Sequence, residues 1–285
     1  MTKTYAKKDH SELLAQLEQG ITTLTSSDTW TEYLAFQAKF HHYSASNAQL
    51  IMMQSGGYAT RVAGFHKWLE LGRHVRKGET GLYILAPLVY TTKDEETGEK
   101  TGSAIRGFRY VCVFDIAQTE GEDLPQVATL LEGDDPNGLF ADLAEIAVDL
   151  GFSVHVDTIS EPGVNGYCDH AAKLIKISET LSPAAKVKTL AHELSHAILH
   201  TDDGREGLER GILELEAESS AFVVCAALGV DSGAYSFGYV ATWAGGGEVA
   251  LKAIRASQER IHKASALILK YLEALTSDRK EPVNA

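Results

Sequence analysis

Residues Thr189–His200 read TLAHELSHAILH and place three histidines four residues apart. On a helix, His192 and His196 lie about 6 Å apart along the axis and about 40° apart around it, so both imidazoles converge on one ion. Glu193 sits beside them, placed to act as general base on a water held by that ion. His200 differs, because eight residues from His192 is about 12 Å of rise, too far for both rings to bind one zinc at about 2.1 Å. It reads as a C-terminal helix residue whose partly cationic imidazole interacts with the dipole. Ser182-Pro183 opens this helix with a capping hydroxyl and a proline at the first helical position.

Catalytic zinc usually takes three protein ligands, and GILELEAESSAFVVCAALG (211–229) supplies candidates. Glu214 and Glu218 share one helix face, whereas Glu216 points about 160° away from each of them and is expected in solvent. One carboxylate ligates and the other receives the distal N–H of a ligand histidine. We expect Glu214 as ligand and Glu218 as orienter, with the reverse order open. Asp202, ten residues after His192, is an alternative ligand, but Leu199 stands where the preceding turn needs glycine. The strand 173–178 is expected as a sheet edge to which an extended peptide adds. Tyr167 is a candidate for oxyanion assistance, and Cys168 for an inhibitory zinc ligand.

The chain has 285 residues, 44% of them hydrophobic and 23% charged, a soluble globular composition whose length favours two domains. No run of 18 apolar residues suggests a membrane span, and MTKTYAKKDHSELL has no apolar stretch behind its lysines, so a cytoplasmic protein is expected. Three scattered cysteines fit reduced thiols. Residues 1–118 carry 13 Lys+Arg and 12 Asp+Glu, leaving 13 and 27 for residues 119–285, so all the net acidity lies in the second part. That asymmetry suggests modules with different partners. Helices are expected from caps at Ser11 and Asp28, at 46–54 and at 64–71, followed by strands 81–90 and 105–116 joined by a long polar connection, 91–104. The stripe Trp30, Tyr33, Phe36, Phe40 and Tyr43 is expected as core. Acidic, Gly- and Pro-containing 119–137 reads as a linker. Beyond it come a helix at 138–150, strands 152–157 and 173–178 around a turn-rich 161–170, and helices to the end. The expectation is α+β in two domains: an α+β domain over 1–118, and over 138–285 a mostly helical domain with a small sheet.

Arg61, Lys67, Arg73, Arg76 and Lys77 fall within seventeen residues, interleaved with Phe65, Trp68 and His74. Arg106, Phe108, Arg109 and Tyr110 form a second cluster. Cations along a groove with aromatic faces for stacking are what single-stranded nucleic acid requires, although such clusters are often only solvated surface. Asn47 and Gln54 are further candidate contacts, Asn47 equally a helix cap.

TLAHELSHAILH, ELEAESSAFVVCAALG and SFGYVATW together resemble the metallopeptidase domain of ArdC-like antirestriction proteins, which is related to the ImmA/IrrE metallopeptidases. FHHYSASNAQLIMMQ, ATRVAGFHKWLELGRHVRKGETGLYILAP and VFDIAQTEG resemble the single-stranded-DNA-binding domain that precedes it in the same family. The resemblance implies His192, His196 and a glutamate, Glu214, as ligands of Zn²⁺, with Glu193 as catalytic acid/base in a zincin-like domain. It implies single-stranded DNA and a protein substrate as partners, and protection of incoming plasmid or phage DNA from restriction. Two other roles compete with it: a regulatory peptidase that cleaves a repressor, and a DNA-binding protector whose metal is only structural.

Overall fold

The computed structural model describes residues 10–93, 100–124, 136–230, 237, 240, 242 and 247–280. Helix α1 spans His10–Thr22 and α2 spans Ser27–Lys39. Ser26 caps α2, its hydroxyl accepting from the Thr29 amide at 3.2 Å. Asp28, expected as the cap, lies instead in the first turn, where its charge favours the helix dipole. Contacts divide the chain into two compact units, Met1–Gln16 with Ser46–Leu124, and Leu17–Ala45 with Pro125–Ala285. This differs from the expected 1–118 domain, because residues 17–45 pack with the C-terminal unit.

The first unit contains α3 (Ala45–Ser55), β1 (Val62–Gly64), α4 (Phe65–Glu70), β2 (Arg73–Val75), β3 (Leu82–Lys93), β4 (Lys100–Asp115) and β5 (Thr119–Gly121). Antiparallel β1-β4-β3 form one sheet and β2-β5 another. Strands β3 and β4 run into the connection expected at 91–104, whose residues 94–99 lie outside the described ones. Thr119–Gly121, expected to begin the linker, pair with Arg73–Val75, and 136–137 already belong to the next helix. The linker residues 125–135 lie outside the described ones.

Strand β3 is a sheet edge, and α3 satisfies it with side-chain amides. Asn47 Nδ2 donates to the Leu85 carbonyl at 2.9 Å while the Leu85 amide donates to Asn47 Oδ1 at 2.8 Å. Two turns on, Gln54 Nε2 donates to the Tyr83 carbonyl at 2.8 Å, and the Tyr83 amide to Gln54 Oε1 at 2.9 Å. Each amide thus replaces a neighbouring strand for one residue, which accounts for both positions without nucleic acid. Alanine at either position is expected to destabilise this unit by about 1–3 kcal/mol, since an edge amide and carbonyl lose their partners. Loss of amide-exchange protection along β3 checks this; unchanged protection would refute it.

The second unit continues with α5 (Pro136–Asp149), β6 (Ser153–Asp157), β7 (Gly166–Asp169), β8 (Leu174–Ser178), α6 (Pro183–Leu199), α7 (Asp202–Arg205), α8 (Arg210–Ala227) and α9 (Gly247–Lys280). Its sheet runs β6-β8-β7, with β8 parallel to β6 and antiparallel to β7. The strand expected at the edge is therefore central, and the edge facing α6 belongs to β7, hidden in the turn-rich 161–170. Leu143, Ile146, Ile175, Ile177, Leu190, Leu194, Val224 and Ile268 form the core between sheet and helices. Helix α2 adds its stripe to this unit: Trp30, Tyr33, Phe36 and Phe40 are buried, and Tyr43 is half-buried. The Trp30 indole donates to Ser219 Oγ of α8 at 2.9 Å, which is why residues 17–45 belong here.

Candidate metal centre

Ser182 Oγ accepts from the Ala185 amide at 3.3 Å and Pro183 fills the first position of α6, as the sequence requires. Four residues apart on this helix, His192 and His196 bring their Nε2 atoms within 3.1 Å. From α8, Glu214 Oε2 comes to 3.5 Å of His192 Nε2 and 3.8 Å of His196 Nε2. Glu218, one turn later, places Oε2 at 3.1 Å from His192 Nδ1 and Oε1 at 3.0 Å from Lys188 Nζ.

The hydrogen-bond partners assign the protons. A carboxylate only accepts, so His192 donates Nδ1–H to Glu218 and turns the Nε2 lone pair inward. His200 Nε2 lies 3.2 Å from Glu216 Oε2, so it donates there, and its Nδ1 accepts from His196 Nδ1–H at 2.7 Å. His196 Nε2 is then also a lone pair facing inward. Two nitrogen lone pairs and a carboxylate oxygen converge at separations of 3.1 to 3.8 Å. Donors on one tetrahedral ion with bonds of about 2.05 Å stand about 3.3 Å apart, so the set fits a divalent metal. Burial depresses the pKa of His192, but Glu214 and Glu218 push it up to about 9, so a metal ion takes the inward Nε2 lone pair in competition with a proton. The neighbouring His192 and His196 rings, at 3.5 and 3.8 Å, hold Glu214 far below the ordinary carboxylate range.

Two sequence expectations change here. His200 is buried and caps α6, but it is not a dipole-bound cation: burial lowers its pKa, keeping it the neutral relay that His196 needs. Glu216 is wholly buried rather than solvated, because the far side of α8 packs on α9. There Arg260 grips it with Nε at 2.8 and 2.9 Å and Nη2 at 2.6 Å, and Ser257 Oγ donates at 2.7 Å. Despite burial, these donors and His200 keep its pKa low. No local signal marked Arg260, 44 residues away on another helix. Asp202 pairs with Arg205 on exposed α7, outside the converging set.

Glu193 is buried beside the pair and lines a cleft of about 830 Å³ together with Tyr167, Cys168, His192, His196 and Glu214. Burial raises its pKa, partly offset by His192 and His196. Cys168, its thiol pushed up to about 12 by burial and by Glu193, stays protonated at neutral pH. Gly166 lets β7 press on α6, since a β-carbon there would stand 2.7 Å from Thr189 Cγ2. That approach brings Tyr167 to the cleft wall.

In the first unit the candidate nucleic-acid residues separate. Trp68 is wholly buried and donates to the Phe114 carbonyl at 2.9 Å, so it is core and cannot stack on a base. Arg73 ties β2 to β5 through Thr119 and the Gly121 and Glu122 carbonyls. Arg76 bonds Glu79 and the Ala117 carbonyl, both at 2.7 Å, and Lys67 pairs with Glu70 at 3.0 Å. Arg61 is half-buried beside Asp115, whose carboxylate accepts its backbone amide. Lys77, Arg106 and Arg109 are exposed. Arg106 lies 5.2 Å from the Tyr90 ring centre, and Tyr58, Tyr90 and Phe108 present open aromatic surface. Tyr58 and Tyr90 were missed because neither has a cation adjacent in sequence.

A helix with paired histidines and a buried glutamate, packed on a small sheet and completed by a carboxylate of the next long helix, is a metallopeptidase-like fold. Residues 149–228 match the IrrE N-terminal-like domain of the M78 peptidases, and residues 3–114 match the N-terminal domain of the anti-restriction factor ArdC. The chain is thus ArdC-like, with an ArdC N-terminal domain ahead of an IrrE-like domain. The metal-free crystal structure of antirestriction protein ArdC from plasmid R388 superposes with a TM-score of 0.52 at 21% identity, over 81% of this chain and 86% of that one. A Mn(II)-bound structure of the same protein aligns at 0.46 and 20% identity, over 84% and 86%. An uncharacterised Bacillus anthracis protein, pXO2-81, is 24% identical over 87% of this chain, which spans 48% of that relative's length. No helix among the described residues is long and apolar enough to cross a membrane.

Proposed function

We propose that this chain is a zinc-dependent metallopeptidase joined to a single-stranded-DNA-binding domain, acting in the cytoplasm to protect incoming plasmid or phage DNA from restriction. The observation that carries the reading is a buried Glu193 beside two imidazole lone pairs and a carboxylate that converge on one point, because a purely structural site needs no general base. His192, His196 and Glu214 would hold the ion, with Glu218 orienting His192, and zinc held there would supply Lewis acidity toward a scissile carbonyl. Glu193, its pKa raised by burial, takes a proton from the attacking water and returns it to the leaving amine. Tyr167 donates to the developing oxyanion, and an extended protein substrate adds to the β7 edge.

Comparing wild type with Glu193→Gln for protection of incoming DNA in a restricting host, after checking zinc content, tests the proposal. Protection should collapse while zinc stays bound. Equal protection by the variant would end the proteolytic account of this role.

For DNA, the supported surface is the β3–β4 hairpin, where Arg106, Arg109, Tyr90 and Phe108 are exposed. If Arg106 and Arg109 each neutralise a phosphate, replacing both with alanine should reduce the salt slope of single-strand binding by about 1.4. An unchanged slope would place the DNA elsewhere.

A further inference from the structure

The turn after α2 sets His41 and His42 side by side, with ring centres 4.0 Å apart, against Glu273 of α9 in the same compact unit. Glu273 Oε1 lies 3.0 Å from His41 Nε2 and 3.5 Å from His42 Nε2. His41 Nδ1 is 3.1 Å from the Ala38 carbonyl. A carbonyl oxygen only accepts, so Nδ1 carries a proton, and in a neutral ring Nε2 is then a bare lone pair. A lone pair 3.0 Å from a carboxylate oxygen is repulsive unless a positive charge lies there, either a second ring proton or a metal ion.

Three further observations favour the metal. The Nδ1–H to carbonyl bond is the usual way a ligand histidine is held with Nε2 outward. Separations of 3.0 and 3.5 Å bracket the spacing of about 3.3 Å expected for donors on one tetrahedral ion. A ring proton on His41 also leaves His42 unused, although its Nε2 faces the same Glu273 oxygen as His41 does. Among the described residues, this triad and the His192, His196, Glu214 set are the two groups of such convergence.

We propose that His41, His42 and Glu273 form a second metal site, selective for a borderline divalent cation of the zinc class. Two imidazoles and one carboxylate suit such an ion better than magnesium or calcium, which prefer all-oxygen shells. Water completes the coordination of a site open on the His42 side. The ion clips the end of residues 17–45 to α9, so it is structural, and it shares no residue with the His192, His196, Glu214 centre.

Equilibrium dialysis against micromolar ZnCl₂ tests this in the full-length protein. Wild type should hold two equivalents, His192→Ala/His196→Ala one, His41→Ala/His42→Ala one, and the quadruple variant none. Glu273→Gln, which keeps the side chain's size, should weaken the second equivalent at least tenfold with unchanged circular dichroism. The proposal is overturned if His192→Ala/His196→Ala holds no zinc, if its remaining equivalent survives His41→Ala/His42→Ala, or if that equivalent binds only at millimolar zinc. None of these outcomes depends on peptidase activity.

Discussion

Arg260→Ala is expected to destabilise the C-terminal unit by about 3–5 kcal/mol, the cost typical of removing one partner from a buried ion pair. Glu216 is wholly buried, and Arg260 supplies three of its close charge-assisted contacts. Without the guanidinium, Ser257 and His200 are what remains against the carboxylate among the described residues. Glu216→Gln combined with Arg260→Ala should recover part of the loss, because the stranded charge rather than lost packing dominates. Amide exchange of α8 and α9 reads this unit apart from the other. A change below about 1 kcal/mol would show that water reaches Glu216 once Arg260 is gone. The same substitution should loosen the metal centre, since His200 holds His196 through the carboxylate that Arg260 anchors.

Glu214→Ala is expected to weaken zinc binding by more than about a hundredfold, whereas Glu218→Ala should cost about 10–100-fold, the usual range for a group that only orients a ligand. Glu214 Oε2 approaches both inward nitrogens, while Glu218 reaches the outer nitrogen of His192 and is shared with Lys188. Competition with a chromophoric chelator measures both affinities on one scale. If Glu218→Ala proved the more damaging, the ligand and orienter roles would be reversed.

Much of the centre was legible because α-helical periodicity acts within one segment. The spacing of His192, His196, Glu193, Glu214 and Glu218 needs only two helices, and Ser182-Pro183 announces the start of the first. What depended on tertiary partners was not legible. Glu216 looked solvated until α9 brought Arg260 to it, and His200 looked like a chain-end cation until Glu216 lay beneath it. Trp68 read as a stacking face because its neighbours are basic, yet it fills the core of its unit. Strand β7 was lost in EPGVNGYCDH because glycines and a proline mask four paired residues.

The indole of Trp30 and the hydroxyl of Ser219 meet across 189 positions of sequence. The C-terminal half is consequently not a self-sufficient cassette: a fragment cut at residue 119 or 138 would expose the surface of α8 that α2 covers. Recombination or engineering that moves this module between proteins must carry residues 17–45 with it, so the transferable piece is discontinuous in the gene although its family match is one unbroken run.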